Sequence, residues 1–234
     1  MNRFKVLVFK FIMSRLTPFL ARVLLFFKVN PTFVFKRIIS GKLLMPANQL
    51  NPVRNRVPTF GYVISILSKT KNPLIVETGC SRIDHGLLAW GDDGCSTFLY
   101  DIFTLPNHGK VISVDINVEN VKHANSKTSQ RVKVFCDDSV NFLSRFTEAG
   151  EIDLLYLDSF DFDPNNPEPS QNHHLKEIEV IFDRLKPGCL ILVDDAGVKS
   201  ETAALGKAGK VFDFMESKGV YPKIQDYQLL WIKP

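Results

Sequence analysis

PLIVETG (Pro73–Gly79), KVISVDI (Lys110–Ile116), VKVFCDD (Val132–Asp138), IDLLYLD (Ile152–Asp158) and CLILVDD (Cys189–Asp195) follow one another along the middle of a 234-residue chain. Each is a short apolar run of strand length. Four end in or run into Asp, and the first carries Glu77. A carboxylate at the carboxyl end of a parallel strand stands where open α/β sheets bind their ligands. Five such ends, with glycines after the first strand, describe a crevice for a nucleotide-type cofactor. The expected fold is a Rossmann-like, doubly wound α/β domain of three layers. A final run, YQLLWIK (Tyr227–Lys233), suits an antiparallel last strand.

Outward from this core the chain divides by charge. Its 29 Lys and Arg against 25 Asp and Glu give a net charge of +4, but no acidic residue precedes Glu77, while thirteen basic residues do. The rest of the chain is therefore net acidic. This asymmetry predicts two parts with separate jobs: a basic, apolar helical extension with its connection over residues 1–58 and an acidic domain over 59–234. In residues 1–28 apolar side chains recur at helical spacing from Phe4 to Phe27, interrupted by basic residues and by Pro18. No run approaches the roughly 20 apolar residues of a spanning helix. Two readings stand for this segment. One is an amphipathic element on an anionic membrane surface. The other is a helix pair packed on the domain or on a second copy in a homo-oligomer. Residues 41–60, with Pro46, Pro52 and Pro58, read as an irregular connection, with a short helix over 60–68. The basic residues are interleaved with too much Phe and Leu for a phosphate-binding tract, so nucleic acid is not an expected partner. Cys80, Cys95, Cys136 and Cys189 form no CxxC pair and read as reduced thiols of a cytoplasmic protein, peripheral to a membrane if the first reading of residues 1–28 holds.

Glu77-Thr-Gly79-Cys80-Ser81 closes the first strand, and glycine is needed where backbone passes close to a ligand. Gly91 and Gly94 follow an insert, Arg82–Trp90, that embeds Asp84 and His85 and could form a lid; Ser96 or Thr97 then caps a helix. Asp115 ends the second strand, where a carboxylate accepts two hydrogen bonds from a ribose diol. The compact G-x-G-x-x-G of an NAD site is absent. This series resembles the class I S-adenosylmethionine-dependent methyltransferases over roughly residues 60–234. The resemblance implies S-adenosylmethionine at Glu77, Gly79, Ser81, Gly94, Ser96, Asp115 and Asp158, with Asp137 or Asp138 on the adenine amino group.

Asp158 ends the fourth strand and Asp194-Asp195 ends the fifth. Three converging carboxylates repel one another unless a cation or a proton joins them. Hard oxygen ligands without Cys or His fit Mg²⁺ or another divalent cation. The pattern resembles metal-dependent O-methyltransferases acting on macrolide sugars and the related cephalosporin-hydroxylase-like group, in which such acids hold the metal. That likeness implies Asp158, Asp194 and Asp195 as metal ligands, and a hydroxyl of a sugar, glycan or other polar metabolite as acceptor. Asp161 is the first candidate base, with His173 and His174 behind it. An iron enzyme of hydroxylase type and a non-catalytic scaffold are the alternatives. Glu201–Lys218 reads as an amphipathic helix.

Overall fold

A computed structural model describes residues 51–82, 96–196 and 205–234. The membrane or packing element at 1–28, the 83–90 insert, Gly91, Gly94 and Cys95 lie outside them.

Seven strands form one sheet. They are β1 (Leu74–Thr78), β2 (Lys110–Asp115), β3 (Val132–Cys136), β4 (Ile152–Leu157), β5 (Leu190–Val193), β6 (Ile224–Gln225) and β7 (Leu229–Ile232). Their order is β3-β2-β1-β4-β5-β7-β6. The first five pair in parallel, while β7 runs antiparallel to both β5 and β6. The chain winds outward from β1 to β3, then returns to the other side of β1 with β4. That reversal is the topological switch point, where ligands of such sheets bind.

Strand periodicity divides the core between two faces. Ile75, Val111, Leu154, Tyr156, Leu190 and Leu192 point to one side. Leu74, Val76, Leu155, Leu157, Ile191 and Val193 point to the other. Helices α1 (Asn51–Leu67), α2 (Ser96–Asn107) and α3 (Val118–Lys127) supply residues such as Phe60, Leu99, Phe103 and Ala124 to the first face. Helices α4 (Ser139–Ser144), α5 (Glu168–Ile181) and α6 (Gly209–Ser217) supply Leu143, Ile178, Ile181, Val211 and Met215 to the second. The expected three-layer, doubly wound sheet with an antiparallel last strand is present.

Two local expectations are corrected. Residues 51–67 form one helix, not an irregular connection leading to a short one. Pro58 lies inside α1 on an exposed face, where its ring meets solvent. The buried spacing Phe60, Val63, Ile64 and Leu67 gives the helix its core stripe, and this packing outweighs the cost of the proline. At the other end of the chain, α6 begins at Gly209, after a 3₁₀ turn over Gly206–Ala208. Among the described residues, no helix is long and apolar enough to cross a membrane.

Candidate active site

A cavity of about 330 Å³ opens at the switch point, lined among others by Gly79, Ser81, Asp115, Ile116, Asp158 and Asp161. Three strand ends build it. After β1 the chain turns at Gly79 with φ +82, and a Cβ there would lie 2.5 Å from the Asp158 carbonyl oxygen. Glycine thus lets the ends of β1 and β4 approach each other. After β2 the Asp115 carboxylate accepts the Cys80 N–H at 3.1 Å and the Asn117 N–H at 2.7 Å. Two backbone donors from different loops fix its orientation toward the crevice. Ile116, beside it, is 76% exposed, an apolar surface offered to the cavity. Ser81 is buried, and its Oγ has no hydrogen-bond partner among the described residues.

Glu77 does not line this cavity. It is fully buried beneath the loop, where its carboxylate accepts the hydroxyls of Ser96, Thr97 (2.7 Å) and Ser113 (2.8 Å). The Thr97 hydroxyl also accepts the Ser81 N–H at 3.0 Å. Glu77 therefore ties the start of α2 and the β1 loop to the sheet, and Ser96, which does line the cavity, is held by it. Asp137 and Asp138 also stand outside the lining. Asp137 pairs with Arg145, and Asp138 caps α4 by accepting the Asn141 N–H at 2.9 Å.

The three acids after β4 and β5 come together as the spacing implies. Oxygens of Asp158, Asp194 and Asp195 lie within 4.8 Å of one another. The chain surrounds them with its own donors. Asp194, fully buried, accepts Arg56 Nε at 2.9 and 3.1 Å, Arg56 Nη2 at 2.5 Å and Gln228 Nε2 at 2.7 Å. Lys207 pairs with Asp158 and, at 3.1 Å, with Asp195. Asp195 also accepts the Tyr227 hydroxyl. Burial would raise the pKa of Asp194, but Arg56 outweighs it and holds the carboxyl below the usual range. Burial would likewise lower the Lys207 ammonium; Asp158, Asp195 and Asp194 hold it above its ordinary value instead. Asp158 is pushed well above the carboxylate range, first by burial and then by Asp194 and Asp195, with Lys207 offsetting part of the rise.

The candidate bases separate. Asp161 lies on the crevice wall with both oxygens on Arg82, one at 3.0 Å. His173 and His174, the other two candidate bases, are on α5 and do not line the cavity. His173 Nε2 meets Ser139 Oγ at 2.8 Å and Glu177 at 3.4 Å, and the Glu177 carboxylate, accepting from the imidazole, raises its pKa. Glu177 in turn accepts the hydroxyl of Ser159, a crevice residue, at 2.6 Å. His174 is fully buried with Nδ1 2.7 Å from the Ser170 carbonyl, and burial lowers its pKa from 6.5 to about 4. The unfolded chain gains this proton below pH 6.5 and the folded chain does not until about pH 4, so stability falls as pH drops across that window. His174→Gln is expected to flatten the decline, changing the stability difference between the two ends by about 3 kcal/mol, at ~1.4 kcal/mol per pH unit. Urea midpoints at both ends of the window, for both chains, measure it.

Arg56, Ile116, Lys207, Tyr227 and Gln228 were not legible as site residues. Arg56 sat among prolines read as a connection, and Lys207 on the polar side of a predicted helix. The one available signal was charge: three converging carboxylates require cations.

Residues 92–196 match a family model described as a methyltransferase domain. No curated protein matches the chain. Among solved structures, it is similar to the MycE methyltransferase from the mycinamycin biosynthetic pathway in complex with Mg, SAH and mycinamycin VI. That match has a TM-score of 0.53 and 12% identity, and covers 76% of this chain and 49% of that one. A second MycE structure, with Mg and SAH, matches with a TM-score of 0.53 and 13% identity over 75% of this chain and 49% of the other. The chain spans about half the length of these structures. At such identity the likeness shows a shared fold.

Proposed function

We propose, from the premise that this chain carries a methyltransferase domain of the class I S-adenosylmethionine-dependent fold, that it transfers a methyl group to a hydroxyl of a sugar or other polar small molecule. The observation that carries the reading is the Asp115 carboxylate, locked by two backbone N–H groups at the lip of a switch-point cavity. Its Oδ1 keeps capacity for a ribose hydroxyl, and Oδ2 does so once the weak donor Cys80 Sγ, 3.5 Å away, gives up its place. Ile116 offers an apolar face to an adenine ring, Gly79 lets the ligand approach the backbone, and the unpartnered Ser81 hydroxyl awaits a polar group. Gly94 and Ser96 belong to the same loop in this reading. Asp137 or Asp138 takes the adenine amino group once it exchanges its present partner for it.

When bound, S-adenosylmethionine supplies an electrophilic methyl on a sulfonium. The chain's part is to hold the acceptor oxygen in line with it and to take its proton. Asp161 receives that proton once Arg82, which holds both of its oxygens, swings aside. The MycE structures hold Mg, and the notion of a metal-bound acceptor comes from the same triad of acids. The donors already seated on that triad argue against it here, so no step is routed through a metal.

Calorimetric titration with S-adenosylmethionine tests the reading, followed by radiolabelled methyl transfer to a panel of hydroxylated sugars. Micromolar binding and label on an acceptor hydroxyl are expected. Binding without transfer to any acceptor favours the scaffold alternative, and no binding removes the reading. Membrane contact through residues 1–28 is the companion proposal, checked by co-sedimentation with anionic vesicles.

A further inference from the structure

Three clustered carboxylates at the ends of β4 and β5, Asp194 buried and Asp158 and Asp195 half-buried, need positive charge beside them, because they lose hydration and repel one another. A divalent ion is one solution. This chain contains another, built in detail. Arg56, with its side chain 4% exposed, lies along both oxygens of Asp194. With Gln228 added, three donors serve that carboxylate: Gln228 Nε2 on Oδ1, Arg56 Nη2 on Oδ2, and the Arg56 Nε–H shared between the two oxygens. Neither oxygen of Asp194 is therefore free of a donor, and both face a guanidinium rather than open space.

The remaining space between Asp158 and Asp195 is filled by Lys207, whose side chain is 1% exposed. Its delivery is specific. The Lys207 N–H donates to the Asp195 carbonyl at 3.0 Å, doubling the chain back over the end of β5. Gly206 makes this return feasible: its φ is +45, and a Cβ there would lie 1.8 Å from the same Asp195 carbonyl oxygen. The Gly206 carbonyl is fixed in turn by Gln171 Nε2 at 2.8 Å. Asp195 itself adopts φ +42, a left-handed conformation that Asp tolerates better than most residues. A Mg²⁺ ion sits about 2.0–2.1 Å from its oxygen ligands. One bound between Asp158 and Asp195 would meet the ammonium at repulsive, overlapping range.

We propose that the Lys207 ammonium is the resident cation of this acidic triad and that it excludes a divalent ion from it. The ends of β4 and β5, which reach the crevice through Asp158, then carry an immobile charge fixed by the sequence, one that needs no loading and does not vary with metal supply. The proposal goes beyond the methyltransferase reading and does not depend on it.

Mn²⁺ titration followed by the electron paramagnetic resonance of the free ion tests it, using the whole chain, Asp195→Asn, Lys207→Met and the Lys207→Met/Asp195→Asn double variant. The unsubstituted chain is expected to bind no Mn²⁺ that Asp195→Asn removes, and to melt at the same temperature in Mg²⁺ and in chelator. Lys207→Met is expected to gain Mn²⁺ affinity by at least about tenfold, with a melting temperature raised by Mg²⁺, and the double variant to lose that gain. Mn²⁺ binding by the unsubstituted chain that disappears in Asp195→Asn overturns the proposal, as does a folded Lys207→Met chain that gains none. If Lys207→Met does not fold, the comparison of the unsubstituted chain with Asp195→Asn still decides. Methyl transfer that persists in chelator is a further expected result, and that arm alone rests on the function proposed above.

Discussion

Arg56→Met is expected to cost about 3–5 kcal/mol of unfolding free energy, the usual consequence of stranding one member of a buried ion pair. Asp194 is fully buried, and Arg56 is its charged partner at 2.5 Å. Without the guanidinium, the buried carboxylate must stay ionised with only Gln228 donating to it and two other acids beside it, or take up a proton, and both are unfavourable at neutral pH. The sign of the pH dependence follows. Arg56 holds the folded pKa of Asp194 below its ordinary value of 3.8, so the stabilisation is present above that pH and fades as pH falls through the folded value. The penalty of Arg56→Met should therefore be large at pH 7 and shrink in acid. Arg56→Met/Asp194→Leu removes both charges and should recover most of the loss, although Gln228 Nε2 then keeps only the Tyr156 hydroxyl, at 3.3 Å, as acceptor. Urea unfolding of the three chains measures the series. A single-variant cost below about 1 kcal/mol, the level of an exposed pair, would mean that the Arg56–Asp194 contact carries little of the fold.

Asp115→Ala is expected to weaken S-adenosylmethionine binding by about 100-fold. Two hydrogen bonds from a ribose to a carboxylate contribute roughly 1.5 kcal/mol or more each, and ~3 kcal/mol is about two decades of affinity. The same carboxylate receives the Cys80 and Asn117 N–H groups, so the variant also loosens two loops. Asp115→Asn separates the effects. Its amide oxygen can still accept one of those N–H groups, while its second position turns from acceptor to donor. Affinity that falls in both variants while the melting temperature stays near the parent value supports ribose recognition. A fall of less than threefold in Asp115→Ala would remove Asp115 from the cofactor site.

The sheet was legible because buried parallel strands declare themselves as apolar runs, and because their acidic ends mark the switch point. The triad was legible for the same reason, and its oxygens do meet. Its compensation was hidden. Lys207 is 49 residues from Asp158, and Arg56 is 138 from Asp194, so no local pattern connects either cation to its acid. Glu77 shows the opposite difficulty. Its place at the end of β1 was correct, but the hydroxyls of Ser96, Thr97 and Ser113 claim it from below, and their convergence depends on how α2 and β2 pack. The prolines before β1 misled because propensity is a local quantity. The stripe from Phe60 to Leu67 packs on the sheet and prevails over Pro58. His173 and His174 read as crevice residues from their position after an acidic loop, yet the phase of α5 turns them toward Ser139 and Ser170.

The span between Arg56 and Asp194 has a kinetic consequence. Strands β1, β2 and β3 pair through crossovers of a few tens of residues and β1 with β4 over the longer reach from Leu74 to Ile152, whereas the clasp between α1 and the end of β5 must wait until ends still farther apart in the chain have met. An interaction formed after the rate-limiting step leaves the folding rate nearly untouched and acts on the unfolding rate. Loss of Arg56 should then shorten the lifetime of the native molecule, read as faster unfolding in strong denaturant with refolding little changed. The first described helix would thus serve as a latch on how long the folded molecule persists.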